Sequence, residues 1–340
     1  MTKIERICTA LRNEATDRLP YSFWTHLPDI DLDPDKLAEA TAAFAQRLDL
    51  DFVKSMPNGF YCVEDWGCEI DFSEIAAGGA GKVTRPAVSS PADWAKLAVL
   101  NPEQGAMGRE LHHLVQLTQR MGADTPVLST VFSPLTIANK LSNGAHRAYL
   151  TSHPDAVMAG LEIITQVTCA FTRETIRRGC AGIFFATQDA TSQMFDAATY
   201  KRIAEAFDHR VLKAAREAGG WFNVLHMHGD DVLFDALKDY PVDALNWHIG
   251  ETPPAIGDYR SRGGTRAIVG GLQRTHITQG NLDAVYLDID MAVAQTQKRG
   301  ILLAPACVIR HPVDETVIQE IINKIKYLRN YLFSECMPSC

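Results

Sequence analysis

The sequence predicts an α/β chain, a (β/α)₈ TIM barrel with a helical extension at its N-terminus. Three observations carry this expectation. Eight short apolar stretches of strand length are separated mostly by amphipathic segments of helix length. From about residue 126 onward the alternation runs without a break. An open doubly wound sheet, the closest rival, wants a glycine fingerprint at its first strand–helix turn, and the chain has none.

Ile4, Ile7, Cys8 and Leu11 recur at helical spacing, so residues 2 to 14 form an amphipathic helix ahead of Asp17-Arg18-Leu19-Pro20. Tyr21 to Trp24 make a first short strand. A helix from about 35 to 48 leads to a second strand, 51 to 56, and then to the loop PNGFYCVEDWGCEI, whose aromatic, acidic and amide side chains suit the wall of a site. Gly78-Gly79-Ala80-Gly81 reads as a turn and not a phosphate loop, since no Lys-Ser/Thr pair follows it. A helix over about 104 to 121 precedes the third strand, 126 to 132. Another, about 153 to 178 with Pro154 near its start, precedes the fourth, 182 to 187. After a helix at about 197 to 218, the fifth strand lies within Trp221 to Gly229. The sixth spans 244 to 248, the seventh 267 to 272 and the eighth 301 to 306, joined by helices near 230 to 239, between strands six and seven, and at about 281 to 298; a last helix covers about 314 to 332. With no Pro/Ser-rich linker, charge block or repeat, residues 1–335 are expected to be one domain and 336–340 a tail.

At 340 residues, 46% hydrophobic and 22% charged, the chain has the composition of a globular protein with a sizeable core. A formal charge of −8, with no basic arm or cluster, argues against nucleic acid or anionic lipid as a partner and leaves a small molecule or another protein. No apolar run reaches membrane-spanning length and the N-terminus lacks the apolar core of a signal peptide, so a cytoplasmic location is expected. The eight cysteines are scattered, Cys336 and Cys340 in the polar tail, and are expected to be mostly free thiols.

Chemistry gathers at the end of the fifth strand. Along a strand Val224, His226 and His228 share one face, so two imidazoles point the same way at the mouth where barrels keep their active sites. Alone, such a pair also fits two core histidines hydrogen-bonded to neighbours. The end of the eighth strand, ILLAPACVIRHP, brings Cys307 to the same mouth, and His226, His228 and Cys307 then form the minimal protein set for a catalytic zinc with an open position. Around them the pattern offers Glu64 as a metal ligand or acid/base, with Asp65 and Trp66 beside it in the loop. Asn246 and His248 stand on the inward phase of strand six, His248 as a wall residue or a partner of a zinc ligand. Gln188 and Asp189 end strand four, and Arg310 and His311 follow Cys307, where they suit an anionic group. Phe23, Trp24, Phe60, Tyr61 and Trp247 are candidates for aromatic walls. Solvated loop charges and ordinary packing are the alternatives for these side chains.

The order of these features resembles the uroporphyrinogen decarboxylase superfamily: an opening helix with DRLP before strand one, FSPLTIA after strand three, His226-x-x-Gly229 ending strand five, and a strand-eight end followed by Pro312 and a helix. True uroporphyrinogen decarboxylases carry an arginine-rich segment after strand one and an aspartate after strand two. Here strand one runs into FWTHLPDID without an arginine, and Arg18 alone cannot hold a polycarboxylated tetrapyrrole. The chain is more similar to the zinc methyltransferases that work with corrinoid proteins, whose pattern is His-x-Cys at strand five and Cys at strand eight. The resemblance implies a Zn²⁺ cofactor on His226, His228 and Cys307; from their positions around it, Glu64, His248 and Asp189 are expected to be catalytic, and Asn246, Trp247 and Arg310 to contact substrate or cofactor. It also implies a small-molecule substrate and a corrinoid carried by a partner protein. A homodimer is compatible with it, though no residue specifies one. His228 departs from the pattern by standing where the family has cysteine, which raises the net charge of a zinc site from about zero to about plus one. That favours Lewis-acid activation of a methyl donor's oxygen over thiolate attack. Two alternatives remain: a metal-free decarboxylase of a carboxylated small molecule or tetrapyrrole, using Arg310, His248 and Asp189, and a non-catalytic binding subunit.

Overall fold

The computed structural model describes residues 1–74 and 81–328. Gly78, Gly79 and Ala80 of the expected turn, and the tail with Cys336 and Cys340, lie outside the described residues. Among the described residues nine strands follow one another: β1 (Val53–Lys54), β2 (Glu69–Asp71), β3 (Lys82–Arg85), β4 (Val127–Phe132), β5 (Gly182–Thr187), β6 (Val224–Met227), β7 (Ala244–Trp247), β8 (Ala267–Leu272) and β9 (Ile301–Pro305). β2 and β3 form a separate antiparallel pair, and the other seven make one parallel sheet in the order β1-β4-β5-β6-β7-β8-β9.

The first expected strand does not form a ladder. Residues 20–25 instead make single parallel bridges, Tyr21 with Leu303 and Thr25 with Ile309. The chain there hydrogen-bonds both edges of the sheet: Leu303 N donates to Pro20 O at 2.8 Å, and Asp51 N donates to Tyr21 O at 3.0 Å. Pro20 has no N–H to give a regular ladder, which accounts for part of the irregularity. Side-chain ion pairs hold this join. Asp51, fully buried, receives Arg18 Nη1 at 2.6 Å and Arg6 Nη1 at 2.7 Å, and accepts the Tyr21 amide at 2.9 Å. The DRLP segment is therefore a structural clamp at the strand starts, away from the strand ends that carry the site.

Strand alternation divides the apolar side chains into two cores. Phe184, Val224, Ala244, Ala267, Val269, Leu302 and Ala304 meet inside the curl of the sheet, with Trp24, Phe52 and Met56, and are joined by Ile7 and Ala10 of the first helix, Lys3–Leu11. Their neighbours of opposite phase, among them Phe185, Leu225, Leu245, Trp247, Ile268 and Leu303, pack outward with the helices. Both faces being covered, β4, β5 and β8 are buried along their whole length, as parallel strands are. The helix Pro154–Arg177 begins on Pro154 as its sequence suggests. Three α-helices among the described residues were not foreseen: Pro134–Leu141, capped by Ser133, His146–Ser152 and Arg274–Thr278. The helix expected near 230 to 239 shrinks to Phe234–Leu237 because Gly229, at φ 108°, turns the chain after β6. No helix among the described residues is long and apolar enough to cross a membrane.

Candidate metal centre

In register across the sheet, Ala186 of β5 pairs with His226 of β6, and His226 with Asn246 of β7. This row fixes where the imidazole of His226 points, into the interior just below the strand ends. Cys307, two residues after β9, closes on it from the far edge. Its Sγ lies 3.6 Å from His228 Nδ1 and 3.9 Å from His226 Nε2. His248, one residue beyond β7, completes the group: one ligand atom from each of His226, His228, His248 and Cys307 lies within 4.8 Å of the others. Zinc–nitrogen bonds of about 2.0 Å and zinc–sulfur bonds of about 2.3 Å put tetrahedral ligand atoms roughly 3.3–3.7 Å apart. The observed spacings need only small side-chain rotations to reach that, so the donor set fits a zinc ion.

The protonation states fit as well. Asn246 Nδ2 donates to Val269 O at 2.6 Å, which orients the amide so that its Oδ1 accepts from His226 Nδ1. The proton of His226 is thereby fixed on Nδ1, leaving the Nε2 lone pair toward Cys307. Burial is the main reason His226 titrates well below the usual imidazole range; His228, His248 and Lys54 nearby add repulsion. Burial likewise brings His228 and His248 down to about 4. All three imidazoles are neutral at pH 7 and free to ligate. Burial raises the Cys307 thiol, opposed chiefly by Arg274, so this sulfur is a thiol until a cation takes its proton's place.

A cavity of about 260 Å³ opens against the cluster and is lined by His226, His228 and Cys307 together with Trp24, Phe132, Phe184 and Val308. Three cations that sequence reasoning missed also line it: Lys54, Lys140 and Arg274. Lys54 had a readable signal, a charge sharing the inward phase with Phe52 and Met56. Lys140, on a helix that went unseen, had none.

The remaining expected residues are spread more widely. Glu64 lies on the 3₁₀ turn Glu64–Trp66 and is paired with Arg109 at 2.6 Å, outside the cavity lining. Asp65 caps the helix Gly105–Met121, accepting the amides of Ala106 and Met107. Asp189 is buried away from the cavity, accepting from Asn139 Nδ2 at 2.6 Å, with His146 Nε2 at 3.3 Å; its neighbour Gln188 does line the cavity. Trp247 alternates to the outer face of β7, where it packs on Phe234 and Tyr259 and donates to Pro254 O. Arg310 is exposed and outside the lining. Of the trio considered for a metal-free decarboxylase, only His248 reaches the cluster. Six cysteines among the described residues are free thiols.

The family model for uroporphyrinogen decarboxylase (URO-D) matches residues 2–328. Among curated proteins, the chain is 21% identical over 254 residues to methylcobamide:CoM methyltransferase MtbA of Methanosarcina mazei, covering 70% of this chain and 73% of that one. It is 23% identical over 241 residues to the uroporphyrinogen decarboxylase of Geobacillus kaustophilus, covering 66% of this chain and 62% of that one. Among solved structures, a methyltransferase from Methanosarcina mazei superposes with a TM-score of 0.83 at 17% identity, over 98% of this chain and 99% of the other, which shows a shared fold. With the curled parallel sheet, the family match across nearly the whole chain leaves one assignment: the chain belongs to the uroporphyrinogen decarboxylase (URO-D) family.

Proposed function

We propose that this chain is a zinc-dependent methyltransferase, moving a methyl group between a small methylated compound or a methyl-corrinoid protein and an acceptor. One barrel domain, closed by residues 20–25, carries it. The observation that supports the reading most is the convergence of Cys307 with His226, His228 and His248 at the wall of a substrate-sized cavity. The named similarity to a methylcobamide:CoM methyltransferase points the same way.

His226, His228 and Cys307 would hold the zinc, with His248 as a fourth ligand that an incoming group can replace. Bound there, zinc supplies Lewis acidity, polarising an oxygen of the methyl donor or lowering the pKa of an acceptor thiol. The chain's own contribution is orientation and exclusion of water. Asn246 locks the tautomer of His226, Phe184 and Trp24 form an apolar wall, and Gln188 offers an amide to a polar substituent. Glu251, 3.5 Å from His248 Nδ1 and 3.2 Å from Arg274, positions both side chains. A cavity of about 260 Å³ is below the roughly 300–1,000 Å³ usual for larger ligands. It suits a small substrate and not a tetrapyrrole.

The test is metal content of protein purified without chelator or affinity metal, with methyl transfer measured on the same samples. Zinc near one equivalent is expected, lost together with activity in His228→Ala and Cys307→Ala. Activity that persists in metal-free protein would overturn the reading.

A further inference from the structure

The cavity is cationic, and no aspartate or glutamate is among its lining residues. Lys54 is only 6% exposed, and its ammonium meets Met56 Sδ at 2.7 Å and the ring faces of Phe184 at 4.8 Å and Trp24 at 5.8 Å. Lys140 Nζ stands 4.6 Å from the Phe132 ring and 4.9 Å from that of Phe60. Among the described residues no carboxylate forms an ion pair with either lysine. Elsewhere the chain gives its inward cations oxygen partners: Arg6 and Arg18 share Asp51, Arg109 has Glu64, and Arg260 is held by the carbonyls of Gly264, Arg266 and Gly300. Arg274, the third cation at the cavity, already has Glu251. Among the described residues Lys54, buried, and Lys140, half-buried, have neither a carboxylate nor a carbonyl on their ammonium groups.

An inward ammonium without a contacting carboxylate loses hydration that a ring face only partly returns, and Glu110 and Asp189 act on Lys54 and Lys140 only as more distant charges. Burial accordingly depresses both lysines, Lys54 to about 7. An anion entering the cavity would meet two donors whose desolvation cost is already met by the fold, the condition under which a charge contact adds most to affinity. Of the remaining walls Trp24, Phe132, Phe184 and Val308 are apolar, with His26, Thr130 and Gln188 as the uncharged polar exceptions, and the volume admits little more than a ring and its substituents. We propose that the small-molecule substrate is an organic oxyanion, an apolar body about the size of a benzene ring whose carboxylate or sulfonate rests on Lys54 and Lys140. The proposal rests on the zinc reading only for its orientation, the opposite end of the molecule then facing Cys307.

Isothermal titration of the zinc-loaded chain with benzoate, benzenesulfonate and neutral benzamide tests it, with zinc measured on the same samples. An oxyanion probe should bind about tenfold or more tightly than benzamide, and whichever of the two binds better identifies the head group. Lys54→Met and Lys140→Met should each weaken that binding about tenfold with zinc content unchanged, while Lys54→Arg keeps part of it. Equal binding of benzoate, benzenesulfonate and benzamide, or oxyanion binding indifferent to both methionine variants, would overturn the proposal; the second result would place the anion on the metal. Lysine-dependent binding in protein that never holds zinc would sustain this subsite while refuting the methyltransferase reading.

Discussion

Asn246 shows how much a single uncharged side chain decides at this site. Its Nδ2 is committed to the Val269 carbonyl, so its oxygen has to face His226, and His226 has to present Nε2 to the cluster. Replacing it with leucine keeps the volume and removes the acceptor, leaving a buried imidazole N–H unsatisfied. Zinc affinity should fall about 10- to 100-fold, as it does when such partners of a metal-bound histidine are lost. Competition with a chromophoric chelator measures it, and unchanged affinity would mean the tautomer is held in some other way. The residues that sequence reading recovered here were those with a local pattern. Two imidazoles at a spacing of two must share a face of a strand, and a cysteine at the end of the last strand must reach the same rim. Arg274 and Lys140 carry no such pattern, because each comes from the first helix after a strand and is placed by a turn whose geometry a single sequence does not specify.

At the scale of elements, β5 and β8 ran where their apolar stretches predicted, since parallel strands buried on both faces read as unbroken hydrophobic runs. The helix Pro134–Leu141 was overlooked although Ser133 and Pro134 make a good start signal; it is only eight residues long, too short for periodicity to declare. The crossing of β5 and β6, which sets the height of His226, depends on a missing side chain. A Cβ on Gly182 would come within 1.9 Å of Phe222 O, and backbone cannot yield as a side-chain tip can. Gly182→Ala should therefore destabilise the protein by about 3 kcal/mol, read by urea unfolding. A loss under about 0.5 kcal/mol, the range of neutral surface changes, would show that the two strands slide more freely than the register implies.

For the molecule as a whole, the curled parallel α/β sheet followed from alternation alone, but the single bridges that stand in place of the expected first strand at residues 20–25 did not. That join depends on Asp51 receiving two arginines from far along the chain, a long-range arrangement with no local signature. A different long-range group governs stability against pH. Asp208 is fully buried, and Tyr200 and Tyr240 each donate to its Oδ2 at 3.0 Å. Burial outweighs those bonds and pushes its carboxyl up to about 7. The folded state thus holds a proton that the unfolded chain has released. Its stabilising effect is complete below about pH 4, falls by up to about 1.4 kcal/mol per pH unit through the window to about 7, and is gone above it. Asp208→Asn should remove that slope, so the variant's stability relative to the parent rises from pH 4 to 7 in urea titrations. A constant difference across this range would show that Asp208 is ionised throughout.

The central claim, that β6, β7 and β9 converge to form a zinc site, is most directly tested by X-ray absorption at the zinc edge on the purified chain. The account predicts one sulfur at about 2.3 Å and two or three nitrogens at about 2.0–2.1 Å, with the sulfur shell gone in Cys307→Ser. A shell of oxygens alone, or a sulfur contribution that survives that substitution, would contradict it.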